Sequence, residues 1–377
     1  MIGLLNARWP QRLLALDWRI IAVILAIGGF GCVVLYSAAG GSLSPWALTH
    51  ALRLMAFTAM MLLVSLVPSR TWLASAFLLY GVILAALVLT ELLGAVRGGA
   101  QRWLDLGVIR LQPSELMKLA LVLALARFQQ YLPLAFVNRP EGLWLPLLLI
   151  ALPAGLVLLQ PDLGTSLTLV AGGLAVLFLA GVSLWYFVVP GVVLVAALPF
   201  IYGLLHDYQQ RRVDIFLDPE LDPLGAGYHI TQSKIAIGSG GLAGKGFLEG
   251  SQSHLDYLPE PQTDFAFATM AEEWGLLGGL FLMLAYGLVF AWGWRVALRA
   301  PDSFQRLVAG GLTMTIFFYV LINLMMVMGL APVVGIPLPL VSYGGSAMMT
   351  AMLAFGILLG IDRETRQAEA RPALGLG

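Results

Sequence analysis

Charge is scarce in this chain. Only 11% of its 377 residues are Asp, Glu, Lys or Arg, against roughly 25% in a soluble domain. Basic and acidic residues number 21 each, so the formal net charge is zero. That balance leaves no basic footprint for nucleic acid. Cysteine is nearly absent: Cys32 stands alone inside an apolar run, so no disulfide and no Cys-based metal site can form within the chain. No H-E-x-x-H, G-x-S-x-G or clustered His/Cys motif occurs, and no internal repeat or low-complexity tract.

What fills the sequence is apolar: 59% of residues are hydrophobic. A membrane span needs about 20 apolar residues. Ten candidates are present, at 20–38, 47–67, 72–93, 113–132, 143–160, 164–181, 184–205, 264–294, 305–331 and 339–361. Lipid satisfies no backbone amide, so helices or a closed barrel must carry these runs. Their uninterrupted character excludes the alternating barrel pattern. The expected fold is an all-α polytopic integral membrane protein with ten transmembrane helices. A large structured loop, 206–263, joins the seventh and eighth spans, and 362–377 is expected as a flexible tail. Arg8, Arg12 and Arg19 before the first apolar run resemble the start of a signal peptide, but the run is long for one and more spans follow. An uncleaved anchor is the expectation.

Orientation follows from arginine. With ten spans both termini lie on one side, with Arg8, Arg12, Arg70, Arg139, Arg295 and Arg363 among its many arginines; the short loops opposite hold Arg97, Arg102 and Arg110. The positive side faces the cytoplasm, so 206–263 is expected outside. Two segments break the helical pattern. Span 184–205 holds Pro190 and Pro199, which invite kinks. Residues 331–345 contain three prolines and read as a broken or re-entrant lead-in to the last span, tolerable where it packs in protein or lines a wet cavity.

Ionisable side chains within spans are costly and are functional candidates by default. Here they are Arg53, Glu91, Glu115, Lys118, Asp162, Glu272 and Glu273, all expected near the outer margin, with none expected in the inner halves. Pro113-Ser114-Glu115 reads as a helix start. Spacing of three puts Glu115 and Lys118 on one face. Two readings stand: a neutralising pair that fixes helix packing, or a pair that positions Lys118 as an anion contact. Arg102 and Arg110 add positive charge in the preceding loop, in either a phosphate-binding or an interfacial role. Trp103 is a sugar-stacking platform or an interfacial belt residue.

The 206–263 loop is too long to be a mere connection. It carries apolar anchors (Ile230, Ile235, Ile237, Leu242, Phe247), Lys234 and Lys245, and six glycines between Gly238 and Gly250. The glycine run fails the phosphate-loop pattern, since Ser239 and Gly246 occupy the diagnostic positions; it reads as a tight turn or a backbone nest for an anion. His254 and Asp256 alternate, but two ligands make no metal site.

Several strings together resemble the SEDS (shape, elongation, division and sporulation) family. They are Arg102-Trp103-Leu104-Asp105-Leu106-Gly107, Leu111-Gln112-Pro113-Ser114-Glu115 and Gln160-Pro161-Asp162-Leu163-Gly164-Thr165. Others are Gly227-Tyr228-His229-Ile230-Thr231-Gln232-Ser233-Lys234, Leu258-Pro259-Glu260, Thr263-Asp264-Phe265 and Val341-Ser342-Tyr343-Gly344-Gly345-Ser346. Ser233-Lys234-Ile235 and Pro332-Val333-Val334-Gly335-Ile336-Pro337 are similar to the elongation branch rather than the division branch. The resemblance covers essentially the whole chain. Gln262 departs from the histidine that many relatives carry there.

The resemblance implies a peptidoglycan glycosyltransferase in a bacterial cytoplasmic (inner) membrane. Its substrates would be lipid II and the lipid-linked nascent glycan, and its partner a class B penicillin-binding protein transpeptidase. That partner would be met through spans 264–294 and 305–331 and the outer loop. The family's loop aspartate carries over to Asp256, its loop tryptophan to Trp103, and its Glu/Lys pair to Glu115 and Lys118. Making a β-1,4 bond from an α-linked diphosphate inverts the sugar carbon, which asks for one base, Asp256. Lys118, Arg102 and Arg110 would stabilise the leaving diphosphate, with Arg53 and Lys234 as further substrate contacts. A divalent cation (Mg or Mn) is compatible with the scheme without being required, and ion binding is the competing role for Asp256. The rival functions are a lipid II flippase and a non-catalytic scaffold of the elongation machinery.

Overall fold

The computed structural model describes residues 9–93, 95–97, 100–105, 110–204, 207–222, 225–255, 257–258 and 260–370. A helix lies on each of the ten apolar stretches. In chain order a short α1 (Trp9–Leu14) precedes α2 (Trp18–Ala38), α3 (Ala47–Ser65) and α4 (Ser69–Leu93). There follow α5 (Pro113–Tyr131), α6 (Pro140–Leu159), α7 (Leu163–Leu179) and α8 (Trp185–Leu204). The long loop contributes α9 (Asp207–Leu217), α10 (Ala226–Ser239) and α11 (Ser251–His254), and the chain closes with α12 (Ala266–Arg299), α13 (Ser303–Val327) and α14 (Gly345–Ala370). Among the described residues seven helices, α2, α3, α4, α6, α12, α13 and α14, are long and apolar enough to cross a membrane, while α7 and the apolar part of α8 are shorter. α5 is 19 residues long but carries Glu115, Lys118 and Arg127.

Local chemistry sets the helix starts. Asp162 accepts from the Thr165 amide at 3.1 Å to begin α7, and Asp302 accepts from the Gln305 amide at 2.8 Å to begin α13. Proline opens α5 and α6, where a missing amide hydrogen costs nothing. α5 is buried on almost every face from Pro113 to Ala126, as expected of a helix that is apolar all round. It packs against α4, α7 and α13. Small residues allow that approach: a Cβ on Gly311 of α13 would meet Val176 at 2.6 Å and Val122 at 2.8 Å. α8 contrasts with this core. It contains both prolines and is exposed along nearly its whole length.

Four expectations need correction. Residues 95–111 hold a small antiparallel sheet, order β1-β2-β3, from β1 (Ala95–Arg97), β2 (Ala100–Asp105) and β3 (Arg110–Leu111). Its strands are too short to show an alternating pattern. The last helix begins at Gly345 rather than 339, because residues 331–344 are irregular, and it continues through 362–370. There Arg363 is buried and donates to the Ser65 carbonyl at 2.7 Å, while 371–377 lie outside the described residues. The halves of the helices remote from Glu115 are not free of charge. Arg127 of α5 donates to the Ala74 carbonyl at 2.7 Å and stacks on Phe77 at 5.0 Å. Of the five proposed loop anchors, Ile230 is buried and Ile237 partly so, while Ile235, Leu242 and Phe247 are exposed.

Candidate active site

Because Pro113 starts α5, Glu115 falls in its first turn and Lys118 one turn on. Lys118 Nζ donates to Glu115 Oε1 at 2.7 Å. Tyr319 of α13 closes a triangle: Lys118 also donates to its hydroxyl, and that hydroxyl donates to Glu115 Oε2. The ammonium lies 4.0 Å from the Tyr319 ring centroid. All three residues are 5% exposed or less. The arrangement is a closed ion pair bridging α5 and α13. It offers no free ammonium at the surface, which favours the packing reading of the pair.

Arg102 on β2 reaches the turn between α6 and α7. Its Nε donates to the Gln160 carbonyl at 3.0 Å, its guanidinium also donates to the Pro161 carbonyl, and Nη1 is 3.8 Å from Asp162 Oδ2. Gln112 Nε2 donates to the same carboxylate at 3.4 Å. The guanidinium therefore pins the hairpin to the start of α7. Trp103, its neighbour, is half-buried opposite Ala95. Arg110 pairs with Asp105 in the β2–β3 register, and its side chain lies outside the described residues.

The irregular 331–344 segment packs inside protein rather than crossing open lipid. Asn323 of α13, one turn beyond Tyr319, donates to the carbonyls of Ile336 at 2.7 Å and Asp264 at 3.1 Å. The Tyr343 amide donates to the Gln262 carbonyl at 2.7 Å. Arg53 of α3 lies 4.8 Å from the Tyr343 ring centroid, and His50 contacts the Leu340 carbonyl at 2.9 Å. The end of the long loop is thereby laid over this segment. Asp264, just before α12, accepts no hydrogen bond through its carboxylate among the described residues. Burial, with Glu260 nearby, raises its pKa to about 6. Sequence reasoning left Asp264 out of the site. The only pointer was its place in the Thr263-Asp264-Phe265 string, whereas a perturbed carboxylate in such a place is a functional candidate.

The glycine run forms a docking loop. α12 breaks at Gly275, whose φ of 59° and ψ of −152° suit glycine. Backbone bonds cross that break: Lys245 N to Glu272 O at 3.0 Å, Gly246 N to Glu273 O at 3.2 Å, and Leu276 N to Gly241 O at 3.0 Å. A Cβ on Gly244 would meet the Glu273 carbonyl oxygen at 2.0 Å, so glycine alone permits this approach. Glu272, fully buried, accepts from Lys245 Nζ at 2.6 Å, Ser251 Oγ at 3.1 Å and the Gln252 amide at 3.1 Å. It thus holds the start of α11, which ends two residues before Asp256. Glu273 accepts from Ser37 of α2.

Asp256 itself lies outside the described residues. Lys234 is exposed on α10, its stem against Gly329, so it stands apart from the buried Lys118 cluster. Glu91 is exposed at the end of α4. No three His, Cys, Asp or Glu side chains come together as a metal site among the described residues.

These strings and this helical frame match a known pattern. Residues 17–367 fit the FtsW/RodA/SpoVE family, described as cell cycle protein. The chain belongs to this family. As a member, it is 47% identical over 354 residues to the peptidoglycan glycosyltransferase MrdB of Escherichia coli K12, covering 92% of this chain and 93% of that protein. The fold is similar to the crystal structure of the Thermus thermophilus rod shape determining protein RodA, with TM-score 0.68 and 31% identity, over 93% of this chain and 98% of that one. It is also similar to a chain of a peptidoglycan synthase complex solved for its structural coordination of polymerization and crosslinking. There the TM-score is 0.82 at 33% identity, over 94% of this chain and 99% of that one. The expected likeness to the SEDS family and its rod-shape member RodA is borne out, as is the helical membrane fold. This family member is a multi-pass membrane protein.

Proposed function

We infer that this chain is a peptidoglycan glycosyltransferase of cell elongation, a transferase that joins lipid-linked disaccharide units into glycan strands. The observation that carries this reading is near-full-length identity of 47% to a protein of that name. The proposed substrates are lipid II and the lipid-linked growing glycan, and the proposed partner is a class B penicillin-binding protein that cross-links the product. A likeness to a complex coordinating polymerization with crosslinking supports such a partner. We read all ten apolar helices as spans, with both termini cytoplasmic and the 206–263 loop outside.

The reaction exchanges an α-linked diphosphate for a β-1,4 glycosidic bond. The acceptor 4-hydroxyl attacks the donor sugar carbon, the bond to the lipid diphosphate breaks, and the hydroxyl proton passes to a base. Asp256 is the proposed base. Support comes from its place in the sequence two residues after the end of α11, whose start is fixed by Glu272. The diphosphate leaves as an anion, so no second acid is needed. Lys118 and Glu115 act in this scheme as positioning residues: with Tyr319 they hold α5 against α13 beneath the Asn323–Asp264 junction. Arg102 holds the Trp103 hairpin over α7.

The test is polymerisation of purified lipid II by the purified chain, without and then with the cross-linking partner. Wild type is expected to yield glycan strands, and Asp256→Ala to lose at least about 100-fold, the usual weight of a general base. Activity retained in that variant removes Asp256 from the mechanism. Net movement of lipid II across vesicles without any polymer would favour a flippase instead.

A further inference from the structure

At the end of α12 remote from Glu272, a cavity of about 240 Å³ opens between three helices. Its lining comprises Asp17 at the start of α2, Trp292, Arg295 and Arg299 on α12, and Asp362 and Arg366 on α14, with Val296 completing the wall. We propose that this cavity binds the phosphate of an anionic membrane phospholipid through Arg295, Arg299 and the Trp292 indole N–H.

The charges in the cavity do not cancel. Arg366 takes both carboxylates, pairing with Asp17 at 3.1 Å and with Asp362. Arg295 and Arg299 face the same space and form no ion pair among the described residues. They stand four apart on one helix face, where like charges repel. The negative end of the α12 dipole offsets part of that repulsion, and an anion offsets the rest. Trp292 shares their face, three and seven residues earlier. It is 4% exposed, and its Nε1–H has no acceptor among the described residues. A buried donor without a partner is unfavourable.

A phosphodiester supplies what is missing. Its anionic oxygens match guanidinium forks, and a further oxygen can accept from the indole. The α12 surface beside the cavity is greasy, with Leu284, Leu288 and Leu298 exposed, so acyl chains can run along the helix from a headgroup seated here. Basic pockets between helices at a membrane surface take lipid headgroups in this way. The cavity lies about 30 Å along α12 from Glu272 at 1.5 Å per residue. The proposal does not rest on the glycosyltransferase reading.

The experiment is native mass spectrometry of the detergent-purified full chain titrated with phosphatidylglycerol, phosphatidylcholine or inorganic phosphate. Wild type is expected to retain phosphatidylglycerol in preference to phosphatidylcholine, and inorganic phosphate is expected not to displace it. The R295Q/R299Q double variant should bind about tenfold more weakly, the loss of a charge-assisted contact. R295K/R299K, which keeps charge but loses the fork, should fall between, and W292F should weaken binding with both arginines intact. Arg70→Gln, an exposed cation outside the cavity, should change nothing. The proposal is overturned if the double variant or W292F binds like wild type, or if R70Q weakens binding equally. It is also overturned if phosphatidylcholine binds as well, or if inorganic phosphate competes, which would mark a free-anion site.

Discussion

Two lysine–carboxylate pairs in this molecule have nearly the same length and opposite settings. Lys118 and Glu115 lie 2.7 Å apart, three residues from each other on one helix, and both are sealed beneath Tyr319. Lys245 and Glu272 lie 2.6 Å apart but 27 residues from each other, joining a glycine loop to a broken helix, with Lys245 partly exposed. The first pair ties two core helices together. The second ties a docked glycine loop to the broken start of α12. Burial therefore assigns the same chemistry two jobs: losing the first pair should cost the fold, and losing the second should cost the placement of α11.

The largest effect is expected at the buried pair. Lys118→Met leaves Glu115 as an uncompensated buried charge, which costs about 3–5 kcal/mol, read as a fall in thermal unfolding temperature in detergent. Glu115→Leu with Lys118→Met removes both charges and should recover most of that stability. If the pair only positions helices, polymerisation recovers with it. Stability without activity would instead make Lys118 a substrate contact and erase the distinction between the two pairs.

A smaller effect on stability is expected at Glu272→Gln. The charge-assisted bonds to Ser251 and Gln252 weaken by about 1–3 kcal/mol, while the Lys245 contribution is discounted for its exposure. Hydrogen exchange should quicken in residues 251–258 and leave α5 and α13 unchanged, and polymerisation should fall more than stability does. Equal quickening throughout the bundle would show that Glu272 is simply another core residue.

At Asp264 the expected change is of similar size and opposite sign, and its pH dependence is confined to one window. Its pKa is raised from 3.8 to about 6, chiefly by burial. Between those values the folded state keeps a proton that the unfolded state releases. Stability therefore falls as pH rises through that window, and the penalty is complete above about 6. Asp264→Asn should flatten this slope and raise stability near neutral pH by on the order of 1–3 kcal/mol. Denaturant unfolding near pH 4 and pH 7 measures it. If activity also loses an inflection near pH 6, Asp264 titrates in the reaction and rivals Asp256.

Legibility divides along the range of the interactions involved. The Glu115–Lys118 spacing and the Pro-rich break at 331–345 are written in neighbouring residues, and the ion pair and the irregular segment lie there. Arg102 reads in sequence as a cation in either a phosphate-binding or an interfacial role, yet it donates to carbonyls about 60 residues away and lies near the Asp162 carboxylate. Tyr319 gives no signal at all, because nothing near it in the chain announces Lys118.

By itself the sequence determined the apolar lengths, the places where helices must start or fail, and the spacing of charges along one face. These depend on helical pitch and on the cost of unpaired amides in lipid, which are local. Only the tertiary structure decided that Tyr319 seals the Lys118 pair, that Gly275 opens α12 to the glycine loop, and that Arg295, Arg299 and Trp292 share a cavity with Arg366. Those outcomes depend on which helices pack together and at what rotation. That choice is made by shape across the whole bundle rather than by any single stretch of chain.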